Sequence, residues 1–101
     1  MKDLQFEMSE IKISLFGRLA AQGYCYVMEI PGRGICGIQQ FMFTYGIIYG
    51  LDDSGYKGRW CYETAAEATI AYYSWSGEGD PPGNWIKYKG DGGERTNPNN
   101  K

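Results

Sequence analysis

Residues 29 to 41, EIPGRGICGIQQF, place Gly32, Gly34 and Gly37 in the order G-x-G-x-x-G directly after the strand-like run YCYVMEI. Such spacing can cradle a dinucleotide pyrophosphate when a strand precedes it, a helix opens after it, and an acidic residue lies about twenty positions on. Asp52 stands at that distance from Gly32, but the segment after Gly37 is aromatic and interrupted by glycine, so the helix is missing. The expected role of the motif is therefore a glycine-rich connection that lets two strands turn and pack closely. The other groups able to do chemistry are Tyr56, Lys57, Arg59 and Trp60 in YKGRWCY, and the polar and aromatic set Arg33, Asp80, Trp85, Lys87, Lys89, Glu94 and Arg95. Aromatics on a sheet can stack bases and basic neighbours can hold phosphates, but the aromatic spacing differs from that of an RNA-recognition motif.

Histidine is absent. That removes the commonest acid-base group, along with Cys-His dyads, Ser-His-Asp triads and imidazole metal ligands. Cys25, Cys36 and Cys61 are odd in number and lack the short spacing of a zinc or redox motif, so we expect small buried thiols in a reducing compartment. No catalytic residue, cofactor site or metal site is expected. The net charge of −2 gives no global attraction to nucleic acid or anionic lipid. The opening MKDLQFEMSE has no apolar run of signal-peptide length, and no segment is apolar over the ~20 residues that span a bilayer. A cytoplasmic protein without a membrane partner is the expectation.

The elements that must position these residues follow from periodicity. One domain is expected from 101 residues, of which 43% are hydrophobic and 16% aromatic. Met8, Ile11, Leu15, Phe16 and Leu19 recur at helical intervals from Met8 to Gln22, with Ser9 placed to cap and Gly23 placed at C′. In YCYVMEI, Tyr24, Tyr26, Met28 and Ile30 alternate with Cys25, Val27 and Glu29, which predicts a strand. FMFTYGIIYGL predicts a second strand, DDSG a turn, and YKGRWCYE a third strand with Tyr56, Trp60 and Tyr62 opposite Lys57, Arg59 and Cys61. A capping box at Thr64 and Glu67 opens a helix expected over Ala65 to Ser76, with Ala66, Ile70 and Tyr73 facing the core.

The expected fold is α+β, a single small domain in which an antiparallel sheet of three to four strands packs against two helices in roughly α-β-β-β-α order. Residues 1–76 would form this domain. Residues 77–101, rich in Gly and Pro, would be an extension partly docked through Trp85 and Ile86, with order fading after Gly90. The element order is similar to that of double-stranded-RNA-binding domains, whose basic helix start is absent from ETAAEATIA.

The strings PGRGICGIQQFMFTYGIIYGLDDSGYKGRWCY and WSGEGDPPGNWIKYKGDGGERTNPN resemble a group of small proteins of phages, prophages and plasmids. That group shares a G-R-G-x-C-G turn, a G-Y-x-G-R-[WY]-C-Y strand and a G-x-G-D-P-P-G-x-W-I-K-x-K-G tail, and the resemblance covers residues 24 to 98. It implies a small accessory protein of a mobile element that binds and disables a host protein or ribonucleoprotein complex, of the anti-CRISPR or other anti-defence type. The Tyr, Trp and Arg content suits an interface. The candidate interface residues are Arg33, Tyr56, Lys57, Arg59, Trp60, Asp80, Trp85, Lys87, Lys89 and Arg95. The alternative is a small-ligand or nucleic-acid-binding module that uses the GRGICG turn and the aromatic and basic hairpin.

Overall fold

The computed structural model describes residues 10–100, with side chains from residue 14. Its elements run α1 (Glu10–Ala21), β1 (Cys25–Ile30), β2 (Gly34–Gln40), β3 (Tyr45–Tyr49), β4 (Gly58–Tyr62), α2 (Ala65–Ser74), β5 (Lys87–Gly90) and β6 (Gly93–Thr96). The six strands form one antiparallel sheet in sequence order. The fold is thus α+β, with a larger sheet than the three or four strands expected.

The added strands are β2, β5 and β6. The glycine motif joins strand to strand: Arg33 N–H closes the turn onto Ile30 C=O at 2.9 Å, and Gly32 takes the positive φ of 81° that a Pro-Gly turn needs at its third position. No helix opens after it, since residues 34–40 are the strand β2. At the other end, β5 pairs with β4 through Arg59↔Lys89, Trp60↔Tyr88 and Cys61↔Lys87, and β6 then pairs with β5. Order was expected to fade after Gly90, but a strand follows there, because its backbone groups are paired across a tight Gly90–Gly93 turn.

Helix α1 ends as its sequence requires. Tyr24 N–H reaches Leu19 C=O and Gly23 N–H reaches Ala20 C=O, the paired bonds of a Schellman motif around Gly23 at φ 98°. The proposed Ser9 cap lies outside the described residues. In β1 the expected alternation breaks, for the register gains one residue between Cys25 and Met28, and Tyr26 adopts φ 56°. This bulge changes the phase, so that Tyr24 and Val27 pack on one side of the sheet while Met28 and Ile30 pack on the other. It also leaves Cys25 exposed, against the expectation of three buried thiols; Cys36 is buried, and burial pushes its pKa up to about 11.

Helix α2 starts where expected. Thr64 Oγ1 accepts the Glu67 N–H at 3.1 Å, while the Glu67 carboxylate takes the Thr64 hydroxyl at 3.1 Å rather than the Thr64 amide. The helix ends at Ser74, two residues short of expectation, and its face is rotated. Ala68, Ala71 and Tyr72 are buried, whereas Ile70 and Tyr73 are 69% and 60% exposed. The alanines let the helix approach the sheet closely, and the Tyr72 hydroxyl donates to Tyr26 C=O at 2.7 Å, satisfying the bulge. The main core lies between α2 and the sheet, with Ile47, Trp60, Tyr62 and Tyr72 at its centre. On the opposite face a smaller cluster of Leu19, Ile48 and Leu51 packs under α1.

Candidate functional site

The ladder pairs place whole rows of side chains on each face, because directly opposed residues of an antiparallel sheet share a side. One row is Ile47, Trp60, Tyr88 and Arg95, on the α2 side. The next is Ile48, Arg59, Lys89 and Glu94, on the other. Nine of the ten candidate residues divide along this line.

Arg33, Trp60, Asp80, Trp85 and Arg95 form one aromatic and ionic cluster. The Arg33 guanidinium sits 4.9 Å from the Tyr49 ring centre, 5.3 Å from Trp60 and 5.1 Å from Trp75. Its Nε and Nη2 donate to Gly77 C=O at 2.7 Å and Gly79 C=O at 2.9 Å. Asp80 accepts from Trp60 Nε1 at 3.1 Å and from Arg95 Nη2 at 2.8 Å, and the Arg95 bonds, followed by that of Trp60, hold its carboxyl below the usual range. Arg95 in turn lies 4.6 Å from the Tyr88 ring centre. Together these contacts fasten residues 77–85 across the sheet. Trp60 and Trp85, expected as interface residues, are 1% and 4% exposed. Their burial follows from the polar partner that Asp80 offers the Trp60 indole and from the Arg95 guanidinium 5.5 Å over Trp85.

Tyr56, Arg59, Lys87 and Lys89 lie on the other face. The Arg59 guanidinium is 4.8 Å from the Phe41 ring centre, and its Nη1 donates to the Tyr56 hydroxyl. Tyr56 packs here with Ile48 and Leu51, and not beside Trp60 and Tyr62 as alternation predicted, because the strand begins only at Gly58. Lys87 and Lys89 flank Glu94 at 3.1 Å and 3.8 Å; the Lys87 bond is the chief cause of the lowered Glu94 pKa. Both lysines stand about half exposed. Among the described residues α1 packs on β1 and α2 on β2 to β4, so no helix covers this side of β4 to β6.

Lys57 is separated from both groups. Its methylenes cover Gly50, and with Arg33, Gly34, Tyr49, Asp52 and Asp91 it lines an open cleft of about 590 Å³ at the glycine turn. Burial and then the Tyr88 hydroxyl, 2.6 Å away, push Tyr49 at the edge of this cleft up to about 12. No group of His, Cys, Asp or Glu suited to a metal occurs among the described residues. None of their helices is long and apolar enough to cross a membrane.

Sequence reasoning missed Met42 and Phe43. They were read inside a strand, yet they form the tip of the β2–β3 hairpin, closed by Phe41 N–H on Thr44 C=O at 2.8 Å, and are 86% and 84% exposed. The tip lacks Gly, Pro, Asn and Asp, so the usual turn signals are silent. Comparison with protein-family models, with curated proteins and with solved structures gives no match.

Proposed function

We propose that this is a non-enzymatic protein of a mobile element that binds and inhibits a macromolecular complex of a bacterial host, a protein or ribonucleoprotein, through the face carrying Arg59, Lys87 and Lys89. The observation that carries this reading is the open side of β4 to β6: Arg59 opposes Lys89 across the ladder and no helix covers them among the described residues. Arg59 is stacked on Phe41 and bonded to Tyr56, so its planar donor set is held in place before a partner arrives. The resemblance to small phage, prophage and plasmid proteins supports the setting. Capture from a host lysate by the tagged protein, repeated after nuclease treatment, tests it. One stoichiometric protein partner supports the reading; recovery of nucleic acid alone refutes it.

A second reading rests on the open cleft beside the GRGICG turn, where Arg33, Lys57, Asp52 and Asp91 surround a glycine-lined floor. It makes the protein a binder of a small polar ligand. Two of the Arg33 nitrogens are already committed to Gly77 and Gly79, which leaves fewer donors for a ligand and favours the first reading. A thermal shift on addition of nucleotides that Lys57→Ala abolishes would support the cleft.

A further inference from the structure

Met42 and Phe43 are two adjacent large apolar side chains at the end of a hairpin, and neither closes the turn nor fills the core. From Gln39 to Gly46 the chain carries no charge, so this knob can be desolvated without stripping water from an ion. At its base the Arg59 guanidinium lies over Phe41.

A complementary cleft of about 410 Å³ lies between α2 and the Pro82–Asn84 turn, walled by Ile70, Ala71, Pro82 and Gly83 with Glu67 at its rim. Its floor is fixed, since Tyr62 donates to Pro82 C=O at 2.7 Å and Gly83 packs toward the Tyr62 ring. Ile70 belongs to the second apolar stripe of α2, the one the core does not use. The helix has no Lys or Arg to offset Glu67.

We propose that this chain associates with a second copy of itself by seating the Met42–Phe43 tip of one copy in the α2 cleft of the other. The cleft has the size of a site for a few large side chains, its walls are apolar like the tip, and Glu67 at the rim meets the Arg59 cation behind the tip. One hairpin tip in one cleft buries less than the roughly 1,200 Å² of a stable complex, so the association is reversible and concentration-dependent. Repeated head to tail it builds short chains; made reciprocally it builds a two-fold dimer.

Sedimentation velocity from micromolar to millimolar protein tests this with the whole chain. The wild type is expected to gain mass with concentration, whereas Phe43→Ser and Ile70→Asp each stay monomeric. Both positions are exposed, so unchanged circular dichroism and thermal midpoints exclude misfolding, and Met42→Ser provides a second tip variant. Mixed in equal amounts, Phe43→Ser supplies an intact cleft and Ile70→Asp an intact tip, and the mixture should regain a species of twice the monomer mass. A wild type that stays monomeric at millimolar concentration, variants that associate like the wild type, or a mixture that stays monomeric would each overturn the proposal. Loss of host-partner capture leaves this contact standing, because the two readouts are separate.

Discussion

Arg59 and Trp60 are neighbours in β4 with opposite fates: Trp60 is 1% exposed and gives its indole N–H to Asp80 at 3.1 Å, while the Arg59 guanidinium lies over Phe41 on the far face. The period of two in a strand enforces this division. It turns one half of the aromatic and basic hairpin into core and leaves the other half on the face that no helix covers among the described residues.

Asp80 is the clasp of residues 77–85, and its charge is the part that pH can remove. Its pKa is lowered in the folded state, chiefly by the Arg95 bonds. A depressed carboxyl stabilises above its unfolded pKa, about 3.9, and loses that contribution as pH falls through the folded value. Asp80→Asn should therefore be less stable than wild type near neutrality, and the gap should close below about pH 4. A gap that persists in acid denaturation curves at lower pH would show that the charge is not what matters.

Gly58 lies beneath the Tyr49 ring. A Cβ there would come within 2.6 Å of that ring, which is 7% exposed and packed between Trp60 and Tyr88. Gly58→Ala is expected to lose about 1–3 kcal/mol through overpacking. Chemical denaturation checks it: an unchanged midpoint would mean that the Tyr49 layer yields freely.

Thr64→Ala removes the acceptor of the Glu67 amide. The expected loss is ~1 kcal/mol, read as a lower denaturation midpoint with an unchanged slope. No shift would place the start of α2 elsewhere.

What could be read from the sequence divides by cause. The end of α1 and the start of α2 were legible because Gly23 and Thr64 act locally. Strand β2 was not, since its glycines and paired glutamines have low strand preference, and it forms because β1 and β3 flank it and satisfy its backbone. Strands β5 and β6, KYKG and GERT, were hidden for the same reason. The α2 face was misassigned because Ala66, Ile70 and Tyr73 make as good a stripe as Ala68, Ala71 and Tyr72; the Tyr72 hydroxyl bond to the β1 bulge, a long-range contact, favours the latter. Among the site residues, Arg59 keeps its face but is half-buried between Phe41 and Tyr56, and Lys87 and Lys89 keep the exposed placement that alternation allows them. Trp60 and Trp85 do not, because their polar partners come from Asp80 and Arg95.

Lys87 and Lys89 are half exposed, and their ion pairs with Glu94 are of the surface kind that contributes little to stability. The double change Lys87→Ala/Lys89→Ala should thus leave the fold intact, and Arg59→Ala, which also gives up the half-buried contacts to Phe41 and Tyr56, is compared at matched circular dichroism. Quantitative capture of the host partner by these variants is the most direct measurement of the central claim. The predicted result is a wild-type thermal midpoint for the lysine pair, with capture weakened tenfold or more, about 1.4 kcal/mol, by either change. Capture at the wild-type level by both folded variants would contradict it.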